Sequence, residues 1–133
     1  MKLLLDTHVF LWAACQPDRL PPTVREALAA DENPILVSAA SIWEITIKAA
    51  AGRQIQWLDR SPPEVLDSYI ERLGATRLDI TSAHASASWR FREWANKDPF
   101  DRMLATQTMA ESATLVTADG LLRAYPGLPT FWA

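Results

Sequence analysis

The sequence is short of several features that would direct its reading elsewhere. It has one cysteine among 133 residues, so no internal disulfide braces it. Cys15 falls in an apolar helical pattern, where a small buried thiol is the plain expectation. A reducing cytoplasm suits such a chain. No apolar stretch approaches the ~20 residues of a membrane span. At the N-terminus Lys2 is followed by a leucine run that Asp6 interrupts, too short for the apolar region of a secretory signal.

Excess positive charge is missing too. Thirteen Lys and Arg face 16 Asp and Glu, for a net charge of −3. Nucleic-acid binders are mostly basic, so the acids call for an explanation. Either some of them gather around a cation that itself meets phosphate, or they form an ordinary solvated surface. Composition does not choose. Internal repeats, low-complexity tracts and linkers are also absent, and the length fits one domain of roughly 100–150 residues, expected to cover residues 1–133.

What is present is an alternation of short apolar runs with helical patterns. Lys2–Asp6 is an apolar run ended by a carboxylate, the look of a strand buried on both faces. Thr7–Ala14 follows as a first helix, and prolines at 17, 21 and 22 punctuate the loop after it. Pro22–Ala30 reads as a helix with proline in its first turn. Ile35–Ser38 is a second strand, and a helix from Ser38 or Ala39 to Ala51 ends at Gly52. Ser61 with Glu64 forms a capping box for a helix to about Leu73. Ala75–Ile80 is a candidate edge strand, because Arg77 and Asp79 break its apolar character. Thr81–Ala95 reads as one helix, and Asp98 caps another that starts at Pro99 and runs to about Ser112. Thr114–Thr117 is a fourth strand and Leu128–Trp132 a short last one. Strands alternating with helices imply a parallel sheet covered on both faces.

In such sheets ligands bind at the carboxyl ends of the strands, near the point where the strand order reverses. Asp6 ends the first strand, and Asp119 lies two residues beyond the fourth. Glu44 is in the second turn after Ile35–Ser38, while Asp98 and Asp101 open the helix leading into Thr114–Thr117. Crowded carboxylates are expensive: at ~4 Å and an effective dielectric near 20, a like-charge pair costs roughly 4 kcal/mol. A divalent cation or a bound proton relieves that cost. A hard ion such as Mg²⁺ takes a few carboxylates and keeps several waters, and it activates water against phosphodiesters. Each acid also has an ordinary explanation. Glu44 precedes Lys48 by four residues, a favourable helix pair. Asp98 suits an N-cap, with Asp101 adding charge to the first turn. Asp119-Gly120 is a common turn dipeptide, and Asp6 could cap the helix after it. Position leaves both readings open.

The residues themselves go further. Asp6-Thr7-His8-Val9-Phe10-Leu11-Trp12 resembles the opening motif of PIN domains in VapC-type toxins. Ser38-Ala39-Ala40-Ser41-Ile42-Trp43-Glu44-Ile45, with Lys48 and then Gly52-Arg53, resembles their second motif. Asp98-Pro99-Phe100-Asp101-Arg102-Met103-Leu104-Ala105 resembles the third, and Leu115-Val116-Thr117-Ala118-Asp119 the fourth. The four occur in order and span nearly the whole chain.

The resemblance implies a three-layer α/β/α sandwich with a central parallel sheet. It implies an Mg²⁺-dependent (or Mn²⁺-dependent) endoribonuclease whose catalytic, metal-binding acids are Asp6, Glu44, Asp101 and Asp119. Asp98, Thr117 and Thr7 are auxiliary by the same token. Lys48, Arg53, Lys97 and Arg102 flank the motifs as candidate RNA contacts. The implied partners are an RNA substrate, a VapB-type antitoxin that silences the acidic groove, and a second copy of the chain, to which the helix over Ile42–Ala51 could contribute. There is one departure: many close relatives carry a Leu-Pro pair and a His in the stretch that here is Trp89–Lys97. His8 and His84 are not obvious substitutes, and each is expected to be partly buried and hydrogen-bonded. Of six tryptophans, Trp12, Trp43, Trp89 and Trp94 fall on expected helices, where packing in the core or at an interface is their expected fate. A non-toxin PIN nuclease of RNA processing and a catalytically silent binding module are alternatives. A receiver-type phosphoacceptor domain is a third, but it requires adjacent acids after the first strand and a lysine after a late one, and this chain has neither.

Overall fold

Leu3, Leu4 and Leu5 are all fully buried, and successive strand residues point to opposite faces. Leu3 and Leu5 pack into one apolar core with Val9, Phe10, Val24, Ile45 and Leu66. Leu4 packs into another, with Phe91, Leu104, Leu115, Leu122 and Leu128. A three-residue strand thus anchors two cores, because both faces of its sheet are covered. This is the three-layer α/β/α sandwich expected from the sequence. The computed structural model describes residues 1–52 and 62–133, so the expected Ser61 cap and Arg53 lie outside the described residues.

The strands are β1 (Leu3–Leu5), β2 (Ile35–Ser38), β3 (Thr76–Leu78), β4 (Thr114–Val116) and β5 (Thr130–Phe131). All four pairings are parallel and the order is β3-β2-β1-β4-β5. The chain winds outward to one side from β1 and to the other from β4, so the order reverses between those two strands. Their carboxyl ends are where a crevice is expected. As expected, β3 lies at an edge.

Helices α1 (Thr7–Cys15), α2 (Pro22–Ala29), α3 (Ala39–Ala50) and α4 (Pro62–Arg72) contribute to the core beneath Leu3 and Leu5. Helices α5 (Ser82–Ala87), α6 (Pro99–Ala110) and α7 (Gly120–Ala124) lie in the other layer. Their boundaries follow local chemistry. Proline opens α2, α4 and α6, where its missing N–H costs nothing. Gly52 and Gly74, at φ of 74° and 62°, supply the left-handed turn after α3 and α4.

Two expectations need correction. The helix expected over Thr81–Ala95 stops at Ala87, continues as a short 3₁₀ turn over Ser88–Phe91, and then leaves helical geometry. Its Ser/Ala-rich face buries only His84, so little packing sustains it. Arg102 then takes the carbonyls of Trp94 (2.9 Å) and Asn96 (2.8 Å), which diverts the chain into a loop. Secondly, Asp119-Gly120, read as a turn, begins the short helix α7.

Candidate active site

The ladder between β1 and β4 pairs Leu3 with Thr114, Leu4 with Leu115 and Leu5 with Val116. One step further, Asp6 stands beside Thr117, and the Thr117 hydroxyl donates to Asp6 Oδ2 at 2.6 Å. The same hydroxyl oxygen accepts from the Asp119 backbone N–H at 3.0 Å. Thr117 therefore ties the ends of both central strands together. Asp6 occupies the N-cap position of α1 yet makes no capping bond with its side chain. The residue is 8% exposed and lines a crevice of about 370 Å³.

Asp6, Glu44, Asp98, Asp101 and Asp119 all line this crevice, together with Lys48. Four separate segments supply these acids, as the sequence suggested. Glu44 is 7% exposed. Thr7 Oγ1 donates to its Oε1 at 2.7 Å and lies 3.0 Å from Ser41 Oγ. Lys48 Nζ donates to Glu44 Oε2 at 2.6 Å. The i,i+4 pair foreseen for a helix surface is thus a half-buried ion pair in the crevice wall.

Asp98 is the N-cap of α6: its Oδ1 accepts from Phe100 N (2.8 Å) and Asp101 N (3.1 Å). Asp119 caps α7 in the same way, its Oδ1 accepting from Leu121 N and Leu122 N. For these two acids the structural and functional readings hold together, since each caps a helix and also faces the crevice.

Asp101 reaches the crevice from the first turn of α6. Asn96 Nδ2 donates to its Oδ2 at 2.9 Å, and Asn96 Oδ1 accepts from the Asp98 N–H at 3.0 Å. Asn96 is buried and was missed in the sequence, where it follows directly on the segment expected to be helical. Its signal was an Asx side chain just before a Pro-initiated helix. Arg102, a candidate RNA contact, instead braces the loop carrying Asn96 through the two carbonyls named above. Lys97 is exposed beside this loop.

Electrostatics bear out the crowding. Burial pushes the Asp101 carboxyl from 3.8 up to about 6; the Asn96 hydrogen bond works against this, and the charges of Asp98, Asp6 and Asp119 add to it. Burial likewise raises Asp6, against the hydrogen bond from Thr117 and the nearby His8, with Glu44 adding to the rise. Asp101 thus feels three neighbouring carboxylates, and Asp6 feels that of Glu44, across one space. Among the described residues, no three of them are close enough to make a ready-formed metal cluster. The donor set still suits a hard cation, because Mg²⁺ commonly uses one or two carboxylates and retains water.

The histidines part company. His84 is buried, with Nδ1 accepting from Thr81 N–H and Nε2 3.2 Å from Glu111 Oε2, as expected. His8 is exposed, lines the crevice and packs against Trp12, contrary to the expectation of partial burial. Trp12 and Trp94 pack against the two cores; Trp43, edge-on to Phe100 at 5.4 Å, is 59% exposed and Trp89 69%.

Comparison with known proteins bears on the family and the fold. The chain matches the PIN-domain family over residues 3–128. Among solved structures, VapBC2 of Rickettsia felis, bound to a DNA fragment from its promoter, is 20% identical, with a TM-score of 0.73 over 100% of both chains. The DNA-bound VapBC of Salmonella typhimurium is 18% identical, with a TM-score of 0.72 over 98% of this chain and 97% of that one. FitAcB of Neisseria gonorrhoeae is 21% identical, with a TM-score of 0.62 over 97% and 96%. These likenesses describe the fold. No curated protein matches the sequence. The receiver-type alternative falls away, since the family match covers every strand but the last, and all four acidic motifs: the chain belongs to the PIN-domain family, whose members are nucleases.

Proposed function

We propose that residues 1–133 act as one Mg²⁺-dependent endoribonuclease, the toxin of a VapBC-type toxin–antitoxin pair. The observation carrying this reading is the convergence of Asp6, Glu44, Asp98, Asp101 and Asp119 on one crevice at the strand-order reversal. Asp6, Asp101 and Asp119 are assigned to hold Mg²⁺ or Mn²⁺, with Glu44 contributing directly or through water. Bound there, such an ion lowers the pKa of a water and offsets charge developing on phosphoryl oxygens.

The protein's own groups set the positions. Thr117 holds Asp6, Thr7 and Lys48 hold Glu44, and Asn96 holds Asp101 by one oxygen, leaving the other toward the crevice. Asp98, through its cap, fixes the first turn on which Asp101 sits. Water attacks the phosphodiester in line without a covalent intermediate, giving a 5′-phosphate and a 3′-hydroxyl. The antitoxin silences the enzyme by placing an arginine among the carboxylates, a charge-assisted pairing. A homodimer uses the exposed apolar side of α3, where Trp43 and Ile47 stand out.

Total cellular RNA incubated with the protein is expected to be cut in Mg²⁺ and left whole in EDTA. Asp101→Asn should lower the rate by roughly 10²-fold or more, the scale on which a single transition-state contact acts. Equal cutting in EDTA, or by Asp101→Asn, would refute the assignment. A short reading frame directly upstream would separate a toxin from a nuclease of RNA processing.

A further inference from the structure

Next to the acidic crevice lies a second hollow of about 460 Å³, lined by Arg90, Arg92, Trp94, Leu121 and Tyr125 among others. Its floor is rigid. Phe91, Trp94 and Tyr125 pack ring against ring at centroid distances of 5.0–5.8 Å. Its rim is exposed and net cationic, with Arg90 and Arg92 against the single carboxylate of Glu93. Arg92 lies over the Trp89 ring, 4.8 Å from the centroid, and that indole is 69% in solvent. The Arg90 side chain has no hydrogen-bond or ion-pair partner among the described residues. In a chain of net charge −3, this concentration of guanidinium and indole is out of keeping with the rest.

The hollow adjoins the crevice through both of its walls. Leu121 follows Asp119 by two residues, which span at most about 7 Å. Ala95, on the other wall, precedes Asp98 by three. We infer that the hollow is a binding track for single-stranded RNA, which guides the strand beside Trp89 and across Arg90 and Arg92 toward the acids. This deepens the ribonuclease reading and rests on it. The chemistry is that of single-strand binders, in which cations follow phosphates and an exposed aromatic face stacks a base whatever its identity. A partner protein that inserts arginine among the acids would carry like charge to this rim, and RNA carries the opposite.

The test measures binding in EDTA, so that no strand is cut, with a fluorescently labelled single-stranded oligoribonucleotide of mixed sequence. Arg90→Ala/Arg92→Ala is expected to raise Kd roughly tenfold. It should also flatten the dependence of log K on log salt by about 1.4, at roughly 0.7 per phosphate contact. Trp89→Ala should weaken binding by about tenfold and Trp89→Phe should restore most of it, since stacking needs only a ring. Arg25→Ala, on α2 in the opposite layer, should change neither quantity. All of these side chains are exposed, and unchanged melting temperatures will show that the fold is kept. An unchanged Kd and salt slope in the double variant would overturn the inference, even if the wild-type protein cuts RNA in Mg²⁺. Loss of affinity for a protein partner with RNA binding intact would also overturn it. Wild-type binding with the expected slope, but no cleavage in Mg²⁺, would uphold the track and refute the nuclease reading.

Discussion

Asp6 and Asp119 hold the same place in two copies of one local design, a buried strand running into a helix. They behave differently. Asp119 spends one oxygen on the first turn of α7 and stays exposed. Asp6 declines the first turn of α1, sinks into the crevice and takes its hydrogen bond from Thr117 on the neighbouring strand. An N-cap aspartate that caps contributes to stability. One that does not cap is buried at a cost, and it is retained for something other than the helix.

The contrast can be broken by substitution. Asp6→Asn keeps the shape of the side chain but removes the buried charge. RNA cleavage should fall by about 10³-fold, while the metal-free protein melts a few degrees higher, since the raised Asp6 carboxyl marks a charge that burial disfavours. A fall in both quantities would show that Asp6 serves the fold after all. Asp119→Ala should lower both, with a stability loss of about 1 kcal/mol for the lost cap. Asp119→Ser should restore stability without restoring cleavage; if it restores both, Asp119 acts only as a cap.

The smallest effect is on pH dependence. The Asp101 carboxyl loses its proton near 3.8 in the unfolded chain and near 6 in the folded one. Between these values the folded state binds the proton more tightly, so the contribution is complete below 3.8 and lost as pH rises through about 6. Thermal melts in EDTA should show a lower melting temperature at pH 7.5 than at pH 5. Added Mg²⁺ should raise it more at pH 7.5, where the carboxylate is ionised and free to bind. A flat profile in EDTA would mean that Asp101 is better solvated than its burial indicates.

How much of this could be read in the sequence depends on whether the signal was local. Leu3–Leu5 and Thr114–Val116 announced buried parallel strands, and Asp98-Pro99 announced a capped helix, because the causes lie within a few residues. The acids were legible as a set because strand ends are where the fold puts ligands. Asn96 was not, since its role depends on a loop that exists only because Arg102 seizes two carbonyls. Nor was the depth of Glu44, whose partner at i+4 looks the same whether the pair faces water or a crevice. Trp43 and Trp89, expected to pack in the core or at an interface, stand largely in solvent, because an apolar residue at helical spacing says which side it is on, not whether the chain itself covers that side.

The bond from Thr117 to Asp6 joins residues 111 positions apart. The chemistry therefore has no early form: a growing chain that has not yet made β4 has the first acid but no strand to seat it. Contacts this distant in sequence are also the slow ones to establish. If the chain is the nuclease proposed here, the order of its own synthesis keeps it harmless until Thr117 and β4 are in place.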